Sequence, residues 1–569
     1  MSHYDTYTSP LASRNASEAM LRLWSPRHKF NMWRRIWLAV AEAQHELTSG
    51  PSVSGTGGDG YATQGQPLVS KEQVEELRAV VNRSGGIRDE EIELAEQYER
   101  ELRHDVMAHV HTLGDSCPKA KGIIHLGMTS QDVVCNADLN ILFATLRLIE
   151  AKTVRVVDAY ATCAQRYARV PALGFTHYQP AQPVTVGRRC ALWAHDLLLT
   201  QARINTTISS LRLRGLRGAT GTQASFDALL GKKLESGPSA FEHKAMQRLW
   251  ADPLLERAYE VTGQTYPRVV DTFILADLAS VAAVLHKIAT DIRLLCNRKE
   301  LDEPFETRQV GSSAMPYKRN PMRCERICGL ARFVMNLVGN AYDTAATQWL
   351  ERTLDDSSNR RLSLPEAFLA LDGALDIMHN VASGLIVHEA MVRKNLMAEL
   401  PFMATENILM ECVKLYVGFA IGVQQDSAVG TPSLREGNML QGQVSGKEKL
   451  PSRSEGVPKG VPMEVLGGGD RQVYHELIRQ HAQAAGMRVK QEGLDNDLLE
   501  RLKADKHFWS IKRGGPLREE LDWEGVMDPM KYIGRSIEQT ERFIKDVVNP
   551  LREQHKDELA NLEESAPKV

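Results

Sequence analysis

The stretch DTFILADLASVAAVLHKIATDIRLLCN, residues 271–297, decides the fold. Its apolar residues recur at steps that alternate between four and three, and the series is Ile274, Leu278, Val281, Leu285, Ile288, Ile292 and Leu295. This spacing places them on one stripe of a helix, as in the seam of a helix that packs in a bundle. We therefore predict a long, buried helix here.

A second stretch repeats this pattern with Leu364, Phe368, Leu371, Leu375, Met378, Ala382 and Leu385. Two further long helices are predicted over 138–170 and 186–213. Few stretches alternate with period two, so a large sheet is improbable. Helices of this length form a bundle of roughly 40 Å, which is more than one subunit needs to cover a small ligand. The long apolar seams suggest that helices of other subunits complete the core.

At 569 residues, the chain is too long for a single core. Residues 49–70 and about 427–466 are rich in Gly and Ser or Pro, and we predict that both are flexible insertions. The predicted domains are an N-terminal helical domain over 1–129, a central long-helix bundle over 130–387 and a C-terminal helical domain over 388–569.

The net charge and the positions of the cysteines argue against several classes of protein. A net charge of −3 gives no reason to expect a nucleic-acid or membrane surface. The eight cysteines form no C-x-x-C pair, and we expect them to be reduced and mostly buried. The polar N-terminus lacks the apolar core of a signal peptide, and the apolar run Leu415–Val423 is far shorter than the roughly 18 residues that span a membrane. We expect a cytoplasmic protein.

Four histidines fall close together, at His104, His109, His111 and His125. The spacing of His104 and His109 is not the i, i+4 pair that zinc sites use on helices. We therefore expect no metal, and we expect at least two of these histidines to be structural. The sequence contains no Walker or G-x-G-x-x-G loop, so no nucleotide cofactor is implied.

The segment GSSAMPYKRNP, residues 311–321, has the composition of an active-site loop. Pro316 and Pro321 discourage a continuous helix. Hydroxyls, an ammonium and an amide on one loop can close over an anionic substrate, although a surface turn has a similar composition. The string resembles the signature G-S-x-x-M-x-x-K-x-N of the fumarase/aspartase superfamily, whose members expel fumarate from a succinyl-bearing substrate.

Such an elimination needs a base at carbon, an acid at nitrogen, cations for the carboxylates and donors for the dianion that forms. His177, in GFTHYQP (174–180), can protonate a departing nitrogen, although its local backbone could equally satisfy it. Ser312 is a possible base if N–H dipoles or Lys318 stabilise its alkoxide, and Ser313 is its rival. Lys318 and Asn320 are suitably placed to bind a carboxylate.

Several arginines are candidate clamps for phosphate or carboxylate, because the planar guanidinium binds both in two-pronged fashion. Taken singly, each could equally be a solvated surface residue. The candidates are Arg103, Arg323, Arg326, Arg352, Arg360 and Arg361.

Beyond the loop, nearly the whole chain outside the two insertions resembles the adenylosuccinate lyase family, particularly its eukaryotic type. The matching strings are SPLASR (9–14), RHDVMAHVHT (103–112), GIIHLGMTS (122–130), GFTHYQPAQ (174–182), GTQASF (221–226), TGQTYPR (262–268), PFETRQVGSSAMPYKRNPM (304–322), QWLERTLDDSSNRR (348–361) and LPFMATENI (400–408). The strings TLDDSSNRR and PFMATENI select this family over argininosuccinate lyase and fumarase.

The resemblance implies an all-helical, three-domain fumarase/aspartase-like fold that assembles as a homotetramer, with each active site drawn from three subunits. It implies a carbon–nitrogen lyase that needs no cofactor. Its purine nucleotide substrates would be adenylosuccinate, which gives AMP and fumarate, and the succinyl-aminoimidazole-carboxamide ribotide of de novo purine synthesis. The alternatives are another fumarate-releasing lyase, such as argininosuccinate lyase, or a non-catalytic structural relative like the lens crystallins.

Carried over by motif, His177 resembles the general acid and Ser312 the general base, and His104 resembles a second histidine near the phosphate and the acid. Lys318, on the signature loop, is a further catalytic position, and Glu325 would orient the imidazole of His177. The positions that match substrate-binding residues are Arg14, Asn15, Arg103, Asp105, Thr129, Ser130, Gln264, Asn320, Arg326, Arg352, Ser357 and Arg361. The family often has Tyr at the position of Asn15, so a phosphate-side contact or ring stacking would be weaker here.

Overall fold

The structure is a computed structural model. It describes residues 5–49, 67–230, 238–249, 257–306, 308–311, 313–315, 317–417 and 471–562. Most of the first predicted insertion and all of the second lie outside the described residues. Helices make up most of the described chain, and the all-α prediction is confirmed.

The helices, in chain order, are α1 (Glu18–Leu23), α2 (Pro26–Thr48), α3 (Lys71–Val81), α4 (Asp89–Leu102), α5 (Asp105–Ser116), α6 (Ser130–Arg166), α7 (Val186–Ser210), α8 (Ala224–Leu230), α9 (Pro238–Gln247), α10 (Val269–Asn297), α11 (Met322–Ala346), α12 (Asp356–Ser383), α13 (Glu389–Met403), α14 (Thr405–Leu415), α15 (Arg471–Glu492), α16 (Leu498–Ala504), α17 (Trp523–Val526), α18 (Ser536–Phe543), α19 (Asn549–Gln554) and α20 (Lys556–Asn561).

Six two-residue strands form three small pairs among the described residues. They are β1 (Pro171–Ala172), β2 (Phe175–Thr176), β3 (Gln179–Pro180), β4 (Val184–Thr185), β5 (Leu301–Asp302) and β6 (Ile386–Val387). Strand β1 pairs with β4, β2 with β3, and β5 with β6. These pairs shape turns between helices and do not form a sheet layer.

The long helices α6, α7, α10, α11 and α12 contact one another as a bundle. Every residue of the predicted α10 seam is buried, and so is every residue of the series predicted for α12. Helix α6 begins at Ser130, eight residues before its predicted start, because Asp132 accepts the Thr129 N–H at 2.7 Å and closes a capping box. The apolar spacing therefore located the bundle, and the cap determines where this helix begins.

Helix α10 is long and apolar enough to cross a membrane by length and composition alone. Within the described residues it is the one helix that meets this test. Slightly more than half of its most apolar window is buried inside the fold, against α7, α11 and α12.

Contacts between residues divide the chain into two compact units. The first comprises the described residues of 1–170, 185–392 and 535–569, and it contains the bundle. In it, the last helices return to the bundle, where α18 contacts α7 and α20 contacts α6. The second comprises 171–184 and the described part of 393–534. Its core gathers α14, α15 and α16 around Tyr474, Leu477 and Phe508. The division into three domains stays a prediction.

Candidate active site

A sharp bend between α4 and α5 presents two of the predicted site residues. Arg103 ends α4 in the left-handed region at φ 53°, which is uncommon for a residue with a side chain. His104 caps the next helix, where its Nδ1 accepts the Met107 N–H at 3.3 Å. Both side chains are exposed. The strained backbone at Arg103 therefore places the exposed side chains of Arg103 and His104 on the same turn. Strained backbone of this kind is typical of functional sites.

Asp105 joins this turn to the start of α12. Its Oδ2 accepts a hydrogen bond from Arg361 Nη2 at 2.8 Å, and its Oδ1 accepts the Val106 N–H at 2.8 Å. Burial raises the pKa of Asp105, but the hydrogen bond and charge of Arg361 outweigh it, and the net pKa is lowered. The carboxylate thus stays ionised and holds the guanidinium in place.

Thr129 caps α6, and Ser130 is the first residue of that helix. The N–H groups at a helix start carry partial positive charge and favour anions. Burial, with a smaller contribution from the charge of His104, lowers the pKa of His125 to about 4. His125 Nδ1 accepts the Trp37 indole N–H at 3.0 Å, so it is a structural histidine.

Gln264 and Arg352 form a direct pair beside this turn. Arg352 Nη1 donates to Gln264 Oε1 at 2.8 Å, and the Gln264 N–H donates to the Glu351 carbonyl at 3.0 Å. With its amide oxygen turned toward the guanidinium, Gln131 accepts from Arg352 at 3.1 and 3.2 Å. Burial lowers the pKa of Arg352, and the charge of Asp356 partly offsets this. Neighbouring side chains therefore fix the direction of this guanidinium.

Ser357 lies in the first turn of α12, half-buried, and its N–H donates to the Leu354 carbonyl at 3.1 Å. Arg360, one of the candidate clamps, is buried and donates to Asp271 Oδ2 at 2.7 Å. It also contacts Asp138 at 3.1 Å and the Tyr266 hydroxyl. Arg360 is therefore occupied by internal partners and braces the bundle.

The described residues of the signature loop are non-helical, as predicted, and α11 begins just after them. Asn320 Nδ2 donates to the Gly311 carbonyl at 2.9 Å. A Cβ at Gly311 would lie 2.3 Å from the Lys318 carbonyl oxygen, so this close approach requires glycine. Lys318 and Ser313 are exposed. Ser312 lies outside the described residues, so its role and its rivalry with Ser313 stay predictions.

Arg14 and Arg326 lie near one another beside this loop. Burial lowers the pKa of Arg326, and the charge of Arg14 lowers it further. Two guanidiniums whose charges act on one another suit a ligand with more than one negative charge. Glu325, predicted to orient His177, lies with its Oε1 3.9 Å from Arg293 Nη2. Its pairing with the imidazole stays a prediction.

Asn15 follows Arg14 in a short π-helical turn over Leu11–Asn15. Its Nδ2 donates to the Pro10 carbonyl at 3.0 Å. Its own carbonyl oxygen lies against α12, where a Cβ on Gly373 would be only 2.6 Å away. The backbone that carries Arg14 thus touches the bundle at a point where only glycine fits.

His177 lies at the tip of the β2–β3 hairpin, in the second unit. Residues His177 and Tyr178 form its two-residue turn with φ 51° and 56°, as a type I′ turn requires. Such turns usually use Asn and Gly, so a histidine and a tyrosine here are costly choices for a turn. The predicted turn is therefore a strand-bounded hairpin that holds an exposed imidazole.

Within the first unit, the predicted residues form two groups. The first group lies where α11 ends and α12 begins, and it consists of Arg103, His104, Asp105, Thr129, Ser130, Gln264, Arg352, Ser357 and Arg361. The second group lies where α11 begins, and it consists of Arg14, Lys318, Asn320, Glu325 and Arg326. Helix α11 has 25 residues, so about 35 Å separates its two ends. One small ligand cannot touch both groups of the same chain.

The sequence analysis did not identify Gln131 and Glu303 as site residues. Gln131 contacts Arg352, and Glu303 accepts backbone N–H groups in the first turn of α11. Gln131 follows the matched string that ends at Ser130, and Glu303 precedes the one that begins at Pro304. Their position directly beside strings that match the family was the sequence feature that could have identified them. Among the residues that the structure describes, no three His, Cys, Asp or Glu side chains gather as metal ligands would.

Two family models match the chain. Residues 62–336 match the model described as Lyase, and residues 460–543 match the model described as Adenylosuccinate lyase C-terminus. The chain is 42% identical to adenylosuccinate lyase of Saccharomyces cerevisiae over 97% of both chains. It is 41% identical to that of Schizosaccharomyces pombe over 97% of both, and 38% identical to that of Schistosoma mansoni over 98% of both.

Solved structures share the fold at lower identity. A fumarate lyase from Mesorhizobium sp. BNC1 superposes with a TM-score of 0.67 at 19% identity, over 95% of this chain and 99% of that chain. The 3-carboxy-cis,cis-muconate lactonizing enzyme from Pseudomonas putida gives 0.67 at 21% identity, over 94% and 98%. At these identities, the similarity establishes the fold alone.

Proposed function

The chain belongs to the adenylosuccinate lyase family, and we propose on that premise that it cleaves adenylosuccinate to AMP and fumarate by general acid–base β-elimination. The observation that carries this proposal is the 42% identity over 97% of both chains. It is a carbon–nitrogen lyase.

His177 is the proposed acid and Ser312 the proposed base. An imidazolium at the tip of a rigid hairpin can donate its proton to the departing amine near neutral pH. The serine takes the proton from the β-carbon, and the electron pair left on carbon passes into the adjacent carboxylate as a dianion before the carbon–nitrogen bond breaks. Lys318 and Asn320 stabilise that dianion, because an ammonium and an amide N–H are strong donors to carboxylate oxygens.

The first group of residues is the proposed nucleotide side of the site. Arg352 and Arg361 are each oriented by partners of their own chain, so their guanidiniums are pre-set for an anion. The first turn of α6 adds a backbone N–H donor at Ser130, whereas the Thr129 N–H is already bonded to Asp132. A phosphate suits this combination, and the proposed role of His104 is that of a second histidine near the phosphate and the acid.

We also propose a homotetramer with active sites shared between subunits. The separation of the two groups along α11 supports this, because the second group must then come from another copy. Large apolar side chains remain exposed on α7, α10 and α11, and their burial would favour assembly. They are Leu192, Leu199, Val269, Phe273, Leu294, Phe333 and Tyr342.

Two finer proposals follow from the family. The second substrate is the succinyl-aminoimidazole-carboxamide ribotide, which carries the same succinyl-amine linkage and places the protein in purine biosynthesis. The proposed location is the cytoplasm. All eight cysteines are free and seven are buried, which suits a reducing compartment.

A single coupled assay tests the proposed function. The purified protein is given adenylosuccinate and, separately, argininosuccinate, and fumarate release is measured for both. We expect release from adenylosuccinate alone. Release from argininosuccinate alone would identify a different fumarate-releasing lyase, and release from neither would favour a non-catalytic helical relative.

A further inference from the structure

A buried carboxylate holds the start of the helix that follows the signature loop. Glu303 Oε2 accepts the Arg323 N–H at 3.0 Å, and its Oε1 accepts the Cys324 N–H at 2.6 Å. These N–H groups belong to the first turn of α11, where no helical carbonyl is available to them. Glu303 is only 7% exposed, and its negative charge faces the positive end of the helix.

Arg323 returns the contact from the other side of the loop. Its Nη2 donates to Glu306 Oε1 at 2.7 Å, and its Nη1 donates to the Pro304 carbonyl. Its side chain is 10% exposed. Arg323, whose N–H is capped by Glu303, thus also bonds Pro304 and Glu306, the two residues on either side of Phe305. The incoming and outgoing ends of the loop are tied together by two reciprocal sets of bonds.

Glu303 itself is fixed to the bundle. Strand β5 ends at Asp302, immediately before it, and pairs with β6. Asp302 Oδ2 contacts His388 Nε2 at 2.9 Å, and a Cβ on Gly384 would lie 2.7 Å from the Pro304 Cβ. The carboxylate is therefore part of the rigid frame, although it contacts the base of the loop.

We propose that Glu303 is a positioning residue for the reaction, which fixes both ends of the signature loop and thereby places Lys318 and Asn320. This rests on the proposed function. Burial, and then the charge of Glu303, raise the pKa of the Cys324 thiol well above its ordinary value, as expected beside an ionised carboxylate. Asn320 connects the start of α11 to the other end of the loop, since its Nδ2 donates to the Gly311 carbonyl.

The test is Glu303→Gln, which keeps the shape of the side chain but sets an amide N–H against one of the two backbone N–H groups. Backbone hydrogen exchange is measured in the ligand-free protein, and kcat and KM are measured with adenylosuccinate. We expect exchange at Arg323, Cys324 and the described loop residues to be about tenfold faster. We expect kcat to fall about 10- to 100-fold with KM within about threefold, because misplaced groups fail mainly in the transition state.

The matched control is Glu91→Gln. Glu91 is also a buried helix cap, because it accepts the Arg88 N–H at 2.8 Å, but it bonds Arg34 of α2 at 3.0 Å and Ser116 of α5 at 2.8 Å instead of α11. It should leave loop exchange and kcat unchanged. Wild-type exchange in the Glu303 variant, or faster exchange with undiminished kcat, overturns the proposal.

A second variant covers the case in which Glu303→Gln does not fold. Glu303→Asp keeps the negative charge and shortens the side chain by one methylene, so the carboxylate no longer reaches both backbone N–H groups, and loop exchange should still rise. Unchanged exchange there also overturns the proposal. If the wild-type protein does not cleave adenylosuccinate, the proposed function fails, whereas the exchange data still decide whether Glu303 holds the loop.

Discussion

Arg361 Nη2 lies 2.8 Å from Asp105 Oδ2, and this ion pair ties the second turn of α12 to the first turn of α5 across 256 positions of sequence. It sets the direction of a guanidinium that is itself more than half exposed. It also holds the turn that carries His104. The pair therefore links the proposed phosphate side of the site to the proposed second histidine.

Asp105→Asn should lower kcat/KM for adenylosuccinate about tenfold through a higher KM, because Arg361 loses the charge that orients it. The melting temperature should change little, since a partly exposed ion pair contributes about 1 kcal/mol or less. Arg361→Lys keeps the charge and loses the planar fork, so it should show a similar loss. Wild-type kcat/KM in both variants would show that the pair has no part in substrate binding.

His177→Ala and Ser312→Ala should each reduce kcat about 10²- to 10⁴-fold, since each removes a proton-transfer group. Circular dichroism and the melting temperature should stay as in the wild type, because the His177 side chain is exposed at a hairpin tip. Ser313→Ala is the matched control and should keep most of kcat. If Ser313→Ala is the inactive variant and Ser312→Ala turns over normally, the base is Ser313.

Gly373→Ala should destabilise the protein by about 1–3 kcal/mol, because the new Cβ would lie 2.6 Å from the Asn15 carbonyl oxygen and the backbone must move. It should also lower kcat/KM by displacing Arg14. Gly486→Ala is the control, since a Cβ there meets nothing within 4 Å, and it should be neutral or stabilising. Equal melting temperatures for the Gly373 variant and the wild type would refute the close approach.

Stability should fall in mild acid because of His109. It stacks on Phe30 at 3.8 Å between ring centres, and burial lowers its pKa to about 3 from 6.5. The folded-state pKa lies below the unfolded value, so the unfolded chain takes up the proton first. The stability that depends on the neutral ring is present above pH 6.5 and is lost as the pH falls toward 3. At pH 5 the loss from this residue is about 2 kcal/mol.

The measurement for His109 is the free energy of unfolding by urea at pH 7 and pH 5. His109→Phe keeps an aromatic ring against Phe30 and cannot be protonated, so the difference between the two pH values should shrink. His475→Gln, at an exposed position, should leave the difference unchanged. An undiminished pH difference in His109→Phe would contradict this assignment.

The sequence predicted the bundle well, because apolar spacing reports burial directly. The seam from Ile274 to Leu295 lies within α10, and it is buried throughout. Local chemistry also predicted a non-helical segment over 311–321, since two prolines discourage a helix there, and the described residues of this segment are non-helical. Helix ends were less accurate, because caps such as Asp132 depend on single side chains.

Contacts across long sequence distances were beyond the reach of patterning. Nothing in the sequence pairs Arg361 with Asp105, and Arg360 looks no different from its neighbour although it is buried on Asp271. The left-handed backbone at Arg103 and His177 was also hidden, since neither residue type prefers it. The separation of the site residues into two groups could not be predicted from the sequence, because it follows from their positions at opposite ends of α11 in the structure.

The most direct test of the shared site mixes two inactive variants, one altered in each group. His104→Ala and Lys318→Ala are each purified, then unfolded and refolded together in equal amounts, and fumarate release is compared with that of each variant alone. If one site takes these residues from different subunits, random mixing restores both native residues in about a quarter of the sites. We predict recovery of about a quarter of wild-type activity. No recovery in verified hybrid tetramers would contradict the account.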